Sequence, residues 1–104
     1  KLVLDEKIYM NLENFTSDMD KAIFELIEKD EVKLRDIKIP TDVLERIIQY
    51  LWDRELIVFM AIRTGNDIKI KVNGHTVGLS LDSVIARTTK LEAYARLDWS
   101  EGLV

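Results

Sequence analysis

The chain has 104 residues, 47% hydrophobic and 33% charged, with four Gly, one Pro, no Cys and a formal net charge of -4 at pH 7. Such a chain makes one globular domain that can bury a core without covalent staples. The lack of cysteine excludes a disulfide framework, a thiol nucleophile, an iron-sulfur cluster and every Cys-containing zinc site. No apolar run approaches the roughly 20 residues of a membrane-crossing helix, and Lys1 to Leu12 alternates charge with apolar residues instead of forming a signal peptide. These features set the expectation of a cytoplasmic protein without a membrane partner.

From Leu2 to Leu12 the even positions are apolar except Glu6, a period of two that predicts an N-terminal strand arm over residues 1–15. Thr16, Ser17 and Asp18 then supply a helix start, with Ser17 as N-cap and Asp20 three positions on. The helix is expected from about Asp18 to Lys29, burying Met19, Ala22, Ile23, Leu26 and Ile27 and leaving Asp20, Lys21, Glu25 and Glu28 in water. The connector Glu31 to Ile39 has room for one bridge and one helical turn. Pro40 biases Ile39 toward an extended backbone, and Thr41 with Asp42 is expected to cap a second helix reaching about Glu55. Its inward face is Leu44, Ile47, Ile48, Leu51 and Trp52.

Leu56 to Leu81 reads as a three-stranded antiparallel meander. Leu56 to Arg63 is a nearly continuous apolar run, as in a strand covered on both faces. Thr64-Gly65-Asn66-Asp67 is expected to make the first reversal. Asn73-Gly74 makes the second, because both central positions of a type I′ turn need positive φ. Ile68, Ile70 and Val72 alternate with Lys69 and Lys71, giving one core face and one wet face. Residues 82–99 fit a helical template through Leu81, Val84, Ile85, Leu91, Ala95 and Trp99, and a strand template through Leu91, Ala93, Ala95, Leu97 and Trp99. The Ala, Glu, Lys and Arg content favours the helix. No repeat, low-complexity tract or linker divides the chain.

A helix, a short connector, a helix opened at Pro40-Thr41 and closed by Arg54-Glu55-Leu56-Ile57, and then a hairpin together resemble a winged helix-turn-helix domain over residues 18–81. The resemblance implies an α+β fold with a winged-helix-like core of two to three helices and an antiparallel hairpin or meander. That core would be flanked by the N-terminal strand and a C-terminal helix over residues 82–104. It also implies that Asp18 to Lys29 is the first helix, Leu34 to Ile37 a reduced second, Thr41 to Glu55 the recognition helix and Ile57 to Val72 the wing. Asp42 and Glu45 place two carboxylates in the first turn of that recognition helix. A duplex carries one negative charge per roughly 1.7 Å, which argues against insertion of this turn into the major groove.

Signals for catalysis are weak. His75, the only histidine, follows the Asn73-Gly74 turn, where an exposed polar residue is expected in any case. Gly78-Leu79-Ser80-Leu81-Asp82 lacks the second glycine of a nucleophile elbow and lies in a strand pattern. No glycine-rich phosphate loop occurs. Asp18 with Asp20, and Asp30 with Glu31, read as helix ends and not as the spaced ligands of a calcium loop. Asn14-Phe15-Thr16 fits a glycosylation acceptor, which means nothing without secretion. The expectation is a non-enzymatic protein with no metal and no cofactor.

Binding remains, with two alternatives. Residues 1–32 hold four Lys against nine acids, whereas residues 33–87 hold nine Lys or Arg against seven acids. A nucleic-acid-binding set is therefore drawn from Lys33, Arg35 and Lys38 in the connector, Arg46 on the second helix, and Arg63, Lys69 and Lys71 on the hairpin. An excess of two is also what an ordinary mixed-charge surface carries, and Lys69 and Lys71 equally serve to keep a sheet face soluble. The expected function is DNA binding with a regulatory role. The alternative is a protein-interaction or scaffolding module, in which a C-terminal helix carrying Leu91, Tyr94 and Trp99 closes a homodimer or packs on its own domain.

Overall fold

The computed structural model describes the backbone of residues 6–93 and the side chains of residues 17–93. Its elements run α1 (Glu6–Glu28), β1 (Val32–Lys33), a 3-10 turn (Leu34–Asp36), α2 (Thr41–Asp53), β2 (Ile57–Ala61), β3 (Thr64–Val72), β4 (His75–Leu79) and β5 (Val84–Arg87). A further helical segment covers residues 89–93. The fold is α+β with antiparallel sheets.

The N-terminal strand is not formed where α1 runs. Glu6–Glu28 is one continuous helix of 23 residues, and Thr16 and Ser17 lie inside it instead of capping it. Ile8, Leu12, Phe15, Met19, Ala22 and Leu26 follow one another at spacings of three and four, with no Gly or Pro between Lys1 and Ile39 to interrupt them. A period of two over Ile8, Met10 and Leu12 is contained in that longer helical pattern, which recruits more apolar residues and prevails. Met19, Ala22, Ile23 and Leu26 are buried as the spacing predicts. Ile27 is not: it stands 40% exposed beside Phe24 at 50%, because the buried stripe narrows at the end of the helix.

The connector holds the bridge and the helical turn that its length permits. Val32 and Lys33 pair with Ile85 and Val84, and Leu34 and Ile37 enter the core. Helix α2 then starts at Thr41, with Pro40 and not Thr41 or Asp42 at the N-cap position and no side-chain cap. The proline carbonyl accepts the first helical hydrogen bond, from Leu44 N at 2.8 Å. Asp42 acts instead through its charge near the helix N-terminus. Leu44, Ile47, Ile48 and Leu51 are buried. Trp52 is half-buried and tilts against Phe59, with ring centroids 5.4 Å apart.

The strands do not form a meander. One sheet has the order β1-β5-β2, and β3 and β4 form a separate ribbon. The chain leaves β2 at Ile62 and Arg63 without pairing back, and Thr64-Gly65-Asn66-Asp67 is the irregular start of β3 instead of a reversal. Gly65 and Gly78 explain the difference. A Cβ on Gly78 would strike the Gly65 carbonyl oxygen, and one on Gly65 would lie 2.9 Å from Ser80 Cα, so these glycines permit backbone contact across a bulge. Asn73 and Gly74 have φ of 52° and 83°, the left-handed pair that the type I′ turn requires. Strand β2 is covered on one face only, since Val58 and Met60 are exposed, as is Ile62 just after it.

The expected C-terminal helix is replaced by β5 in its first part. Val84 to Arg87 sits between β1 and β2, bonded to both, and Ile85 is fully buried. Pairing with strands about 50 and 25 residues earlier outweighs local helix preference, because a central strand satisfies its backbone on both edges. The helix expectation beyond residue 93 lies outside the described residues.

Candidate nucleic-acid interface

Strand β5, the loop before it and the entry to β3 meet at a corner secured by Ser83, the one buried polar residue among those described. Its Oγ accepts from Arg63 N at 3.0 Å and donates to Arg63 O at 3.1 Å. The same loop accepts Leu34 N at Ser83 O (3.0 Å) and Arg35 N at Leu81 O (2.8 Å). Lys33 and Arg35 from the connector and Arg63 from the entry to β3 are thereby drawn to one loop over residues 80–83.

Acids are interleaved with them. Arg35 Nε donates to Asp82 Oδ1 at 3.0 Å, an exposed pair. That hydrogen bond, then the Arg35 charge, hold the Asp82 carboxyl below its ordinary range, with Lys33 and Arg63 adding to the effect and desolvation opposing it. Arg35 is raised in turn by Asp82 first, and further by Asp67 and Asp36. Asp67 is fixed there by accepting Leu81 N at Oδ2, 3.0 Å away.

A second group lies on the ribbon. Ile68 and Ile70 are buried while Lys69 and Lys71 are exposed, the alternation the sequence predicts. Helix α2 lies along this strand, and its Glu45 Oε2 accepts Lys69 N at 2.7 Å. Gln49 accepts Lys71 N at Oε1 (2.6 Å) and donates from Nε2 to Lys71 O (3.0 Å) and to Asp53 Oδ1 (2.9 Å). Two polar residues of the expected recognition helix are thus engaged with β3 of their own domain. Arg46 is exposed on α2, and Lys38 is exposed in the connector.

Of the seven expected binding cations, only Arg35 is in an ion pair among the described residues; Lys33, Lys38, Arg46, Arg63, Lys69 and Lys71 are exposed and pair with no described carboxylate. The other paired cations among the described residues are Lys21, Lys29, Arg87 and Lys90. The dimer set fares differently. Leu91 is fully buried in the domain's own core, which leaves it unable to reach a second chain, and Tyr94 and Trp99 lie outside the described residues. His75 is exposed at the start of β4. Among the described residues no group of three or more His, Cys, Asp or Glu is placed to hold a metal ion, and no helix is long and apolar enough to cross a membrane.

Sequence reasoning passed over Glu45 and Gln49 as fasteners of β3, Ser83 as the corner clamp, and Arg87. Arg87 Nη1 donates to Leu26 O at 2.8 Å and Lys29 O at 2.9 Å, closing the C-terminus of α1. The only signal in the sequence was a basic residue with no assigned partner.

Comparison of the chain with protein-family models, with curated proteins and with solved structures finds no match.

Proposed function

We propose that this α+β domain binds double-stranded DNA as a winged-helix-type regulatory protein, gripping phosphates with the β3–β4 ribbon and the corner at residues 80–83. The observation that carries this reading is the set of six exposed cations that form no ion pair among the described residues. An unpaired surface lysine or arginine is free to neutralise a phosphate, and the release of the counterions condensed on the duplex is the main source of sequence-independent affinity. The element order supports the reading: α1, β1, a turn, α2 and β2 precede a ribbon, and β5 returns between β1 and β2. In that arrangement the wing is Thr64 to Leu79, and not Ile57 to Val72.

Helix α2 is assigned no base-reading role. Its exposed surface carries Asp42 and Asp53, and Glu45 and Gln49 are committed to β3. Phosphate contacts position a protein without specifying sequence, so the binding expected here is weakly sequence-dependent. The protein-interaction alternative is favoured by a separate observation, the exposed apolar side of β2.

Titration of a random duplex across a salt series tests the proposal. The slope of log K against log salt should be about -0.9 for each phosphate neutralised. Combining Arg63→Glu, Lys69→Glu and Lys71→Glu should flatten that slope and weaken binding at every salt concentration. Binding that is undetectable at low salt, or that survives the triple change, removes the nucleic-acid reading in favour of the protein-interaction one.

A further inference from the structure

Among the described residues, Asp82 is the one carboxylate within ion-pair distance of a cation of the expected binding set. The loop that carries it is tied down on both sides. Asp82 N donates to Ser80 Oγ at 3.1 Å, and Leu81 N donates to Asp67 Oδ2 at 3.0 Å. The backbones that bear three cations close on the same loop. Arg35 N donates to Leu81 O, Leu34 N, next to Lys33, donates to Ser83 O, and Arg63 meets Ser83 Oγ through both its N–H and its C=O. Lys33 and Arg63 are near enough to stabilise the Asp82 carboxylate by charge alone.

These cations use few of their donors. Arg35 gives Asp82 a single hydrogen bond, from Nε at 3.0 Å, and among the described residues its two Nη groups meet no acceptor. The Lys33 ammonium and the Arg63 guanidinium meet none there either. One carboxylate oxygen satisfies one of the five N–H donors of a guanidinium. A phosphate suits the remainder better, because a guanidinium takes two of its oxygens in a fork and an ammonium adds a point charge. Asp67 and Asp36 act on Arg35 through their charge, but Asp67 is engaged by the Leu81 amide and Asp36 forms no ion pair among the described residues.

We propose that Lys33, Arg35 and Arg63 form a site for one phosphate group, and that Asp82 occupies it in the free protein as an internal competitor which the incoming phosphate displaces. The proposal deepens the DNA-binding reading and rests on it for the source of the phosphate, the backbone of the duplex. On binding, Arg35 exchanges its one bond to Asp82 for a fork on the phosphate, and the Asp82 carboxylate turns to solvent. Both side chains are more than half exposed, so the pair is weak enough to be exchanged. A carboxylate left beside the bound phosphate opposes it, and Asp82 therefore lowers the affinity of its own site.

Two measurements on the full chain test it. In the first, a random duplex is titrated at low salt with the wild type, Asp82→Asn and Asp36→Asn; each variant loses one negative charge near Arg35, and only Asp82→Asn frees the Arg35 Nε. Asp82→Asn should bind about two- to fivefold more tightly than wild type, the factor that matches the strength of an exposed ion pair. Asp36→Asn should gain less, and in an Arg35→Ala background the Asp82→Asn gain should fall to that lower level. The second measurement uses inorganic phosphate alone. It should shift the Arg35 Nε–H NMR signal, more in Asp82→Asn than in wild type, where chloride at equal ionic strength does not. Equal gains from the two asparagine variants, with an Arg35 signal that phosphate leaves in place, overturn the site while duplex binding stands. A duplex bound by none of the proteins, with the Arg35 signal still moved by phosphate, keeps the site, makes free phosphate its ligand and removes the DNA-binding reading.

Discussion

The Gln49 carboxamide lies against the peptide of Lys71 as a neighbouring strand would, accepting from its N–H at 2.6 Å and donating to its C=O at 3.0 Å. One side chain on α2 thus satisfies both backbone groups of an edge residue on β3. Gln49 Nε2 also donates to Asp53 Oδ1, which fixes the orientation of the amide. Helix and ribbon are held in register by this contact and by Glu45 on Lys69 N one turn earlier.

Replacing Gln49 by Leu removes its two hydrogen bonds to the Lys71 backbone, each contributing about 0.5–1.5 kcal/mol, and a third to the exposed Asp53 carboxylate. Urea denaturation should show a loss of roughly 1–2 kcal/mol, and the Lys71 amide should exchange faster with solvent. Gln49→Glu is more informative. A carboxylate cannot donate to Lys71 O and is repelled by Asp53, so the variant should be less stable than wild type at pH 7 and recover part of the difference at acidic pH, where the carboxyl regains a proton. An Lys71 amide equally protected in all three proteins would show that the contact is not maintained in solution.

The end of α2 contains a residue whose backbone suits another. Glu55 has φ of 59°, Leu56 N bonds Leu51 O at 2.9 Å, and Glu55 N bonds Trp52 O at 3.0 Å, a Schellman closure in which Glu55 takes the left-handed position. Leu51 and Leu56 are both buried, supplying the apolar contact that accompanies this motif. Left-handed backbone costs an L-residue about 1–2 kcal/mol, partly offset by the greater freedom glycine has when unfolded. Glu55→Gly is therefore expected to raise stability by about 0.5–1 kcal/mol. Its ion pair with Lys90, 3.7 Å long between exposed side chains, contributes little. A lower melting temperature in the variant would contradict the assignment.

Arg87 ties β5 to the end of α1. Besides its bonds to Leu26 O and Lys29 O, its Nε donates to Glu92 Oε1 at 2.9 Å, and Asp30 lies 3.7 Å from Nη2. A cation at a helix C-terminus is favoured by the exposed carbonyls and their dipoles. Arg87→Ala should destabilise the domain by about 2–3 kcal/mol, since hydrogen bonds from a charged group are among the stronger ones. Arg87→Lys should recover only part, because a single ammonium lacks the fork that spans two carbonyls and a carboxylate. Equal stability of the lysine variant and wild type would reduce the role of Arg87 to charge alone.

Helix α2 was legible because its apolar residues keep a 3.6-residue period after Pro40, and the β3–β4 turn because Asn73-Gly74 carries its backbone requirement in its residue types. Both are local. Strand β5 was not legible, since Val84 to Arg87 becomes a strand through partners at Val32 and Ile57, far away in sequence. The start of α1 misled because Ile8, Met10 and Leu12 satisfy a period of two inside a longer helical series. The cations of the candidate interface were visible as residue types. Their pairing was not: Asp82 meets Arg35 across 47 positions, and Gln49 meets Lys71 across 22. Spacing carries no trace of contacts made by a tertiary corner.

The corner offers a test by pH. Asp82 is held below its ordinary value of 3.8 chiefly by its hydrogen bond from Arg35 and by the Arg35 charge. In the unfolded chain that partner is gone and the carboxyl titrates near 3.8. The folded form thus binds its proton more weakly than the unfolded form, so the pair favours folding above about pH 3.8 and this contribution is lost as pH falls through the lower folded value. Carboxyl carbon NMR should show Asp82 titrating below 3.8 in the wild type and moving up toward it in Arg35→Ala. Both groups are exposed, so the stability difference between Arg35→Ala and wild type is expected to be small at pH 7 and to shrink further below pH 3.8. Added salt should raise the Asp82 midpoint in the wild type more than in the variant, by screening the charge that only the wild type has. An Asp82 midpoint at 3.8 in both proteins would mean that Arg35 turns elsewhere in solution, free to join the other unpaired cations.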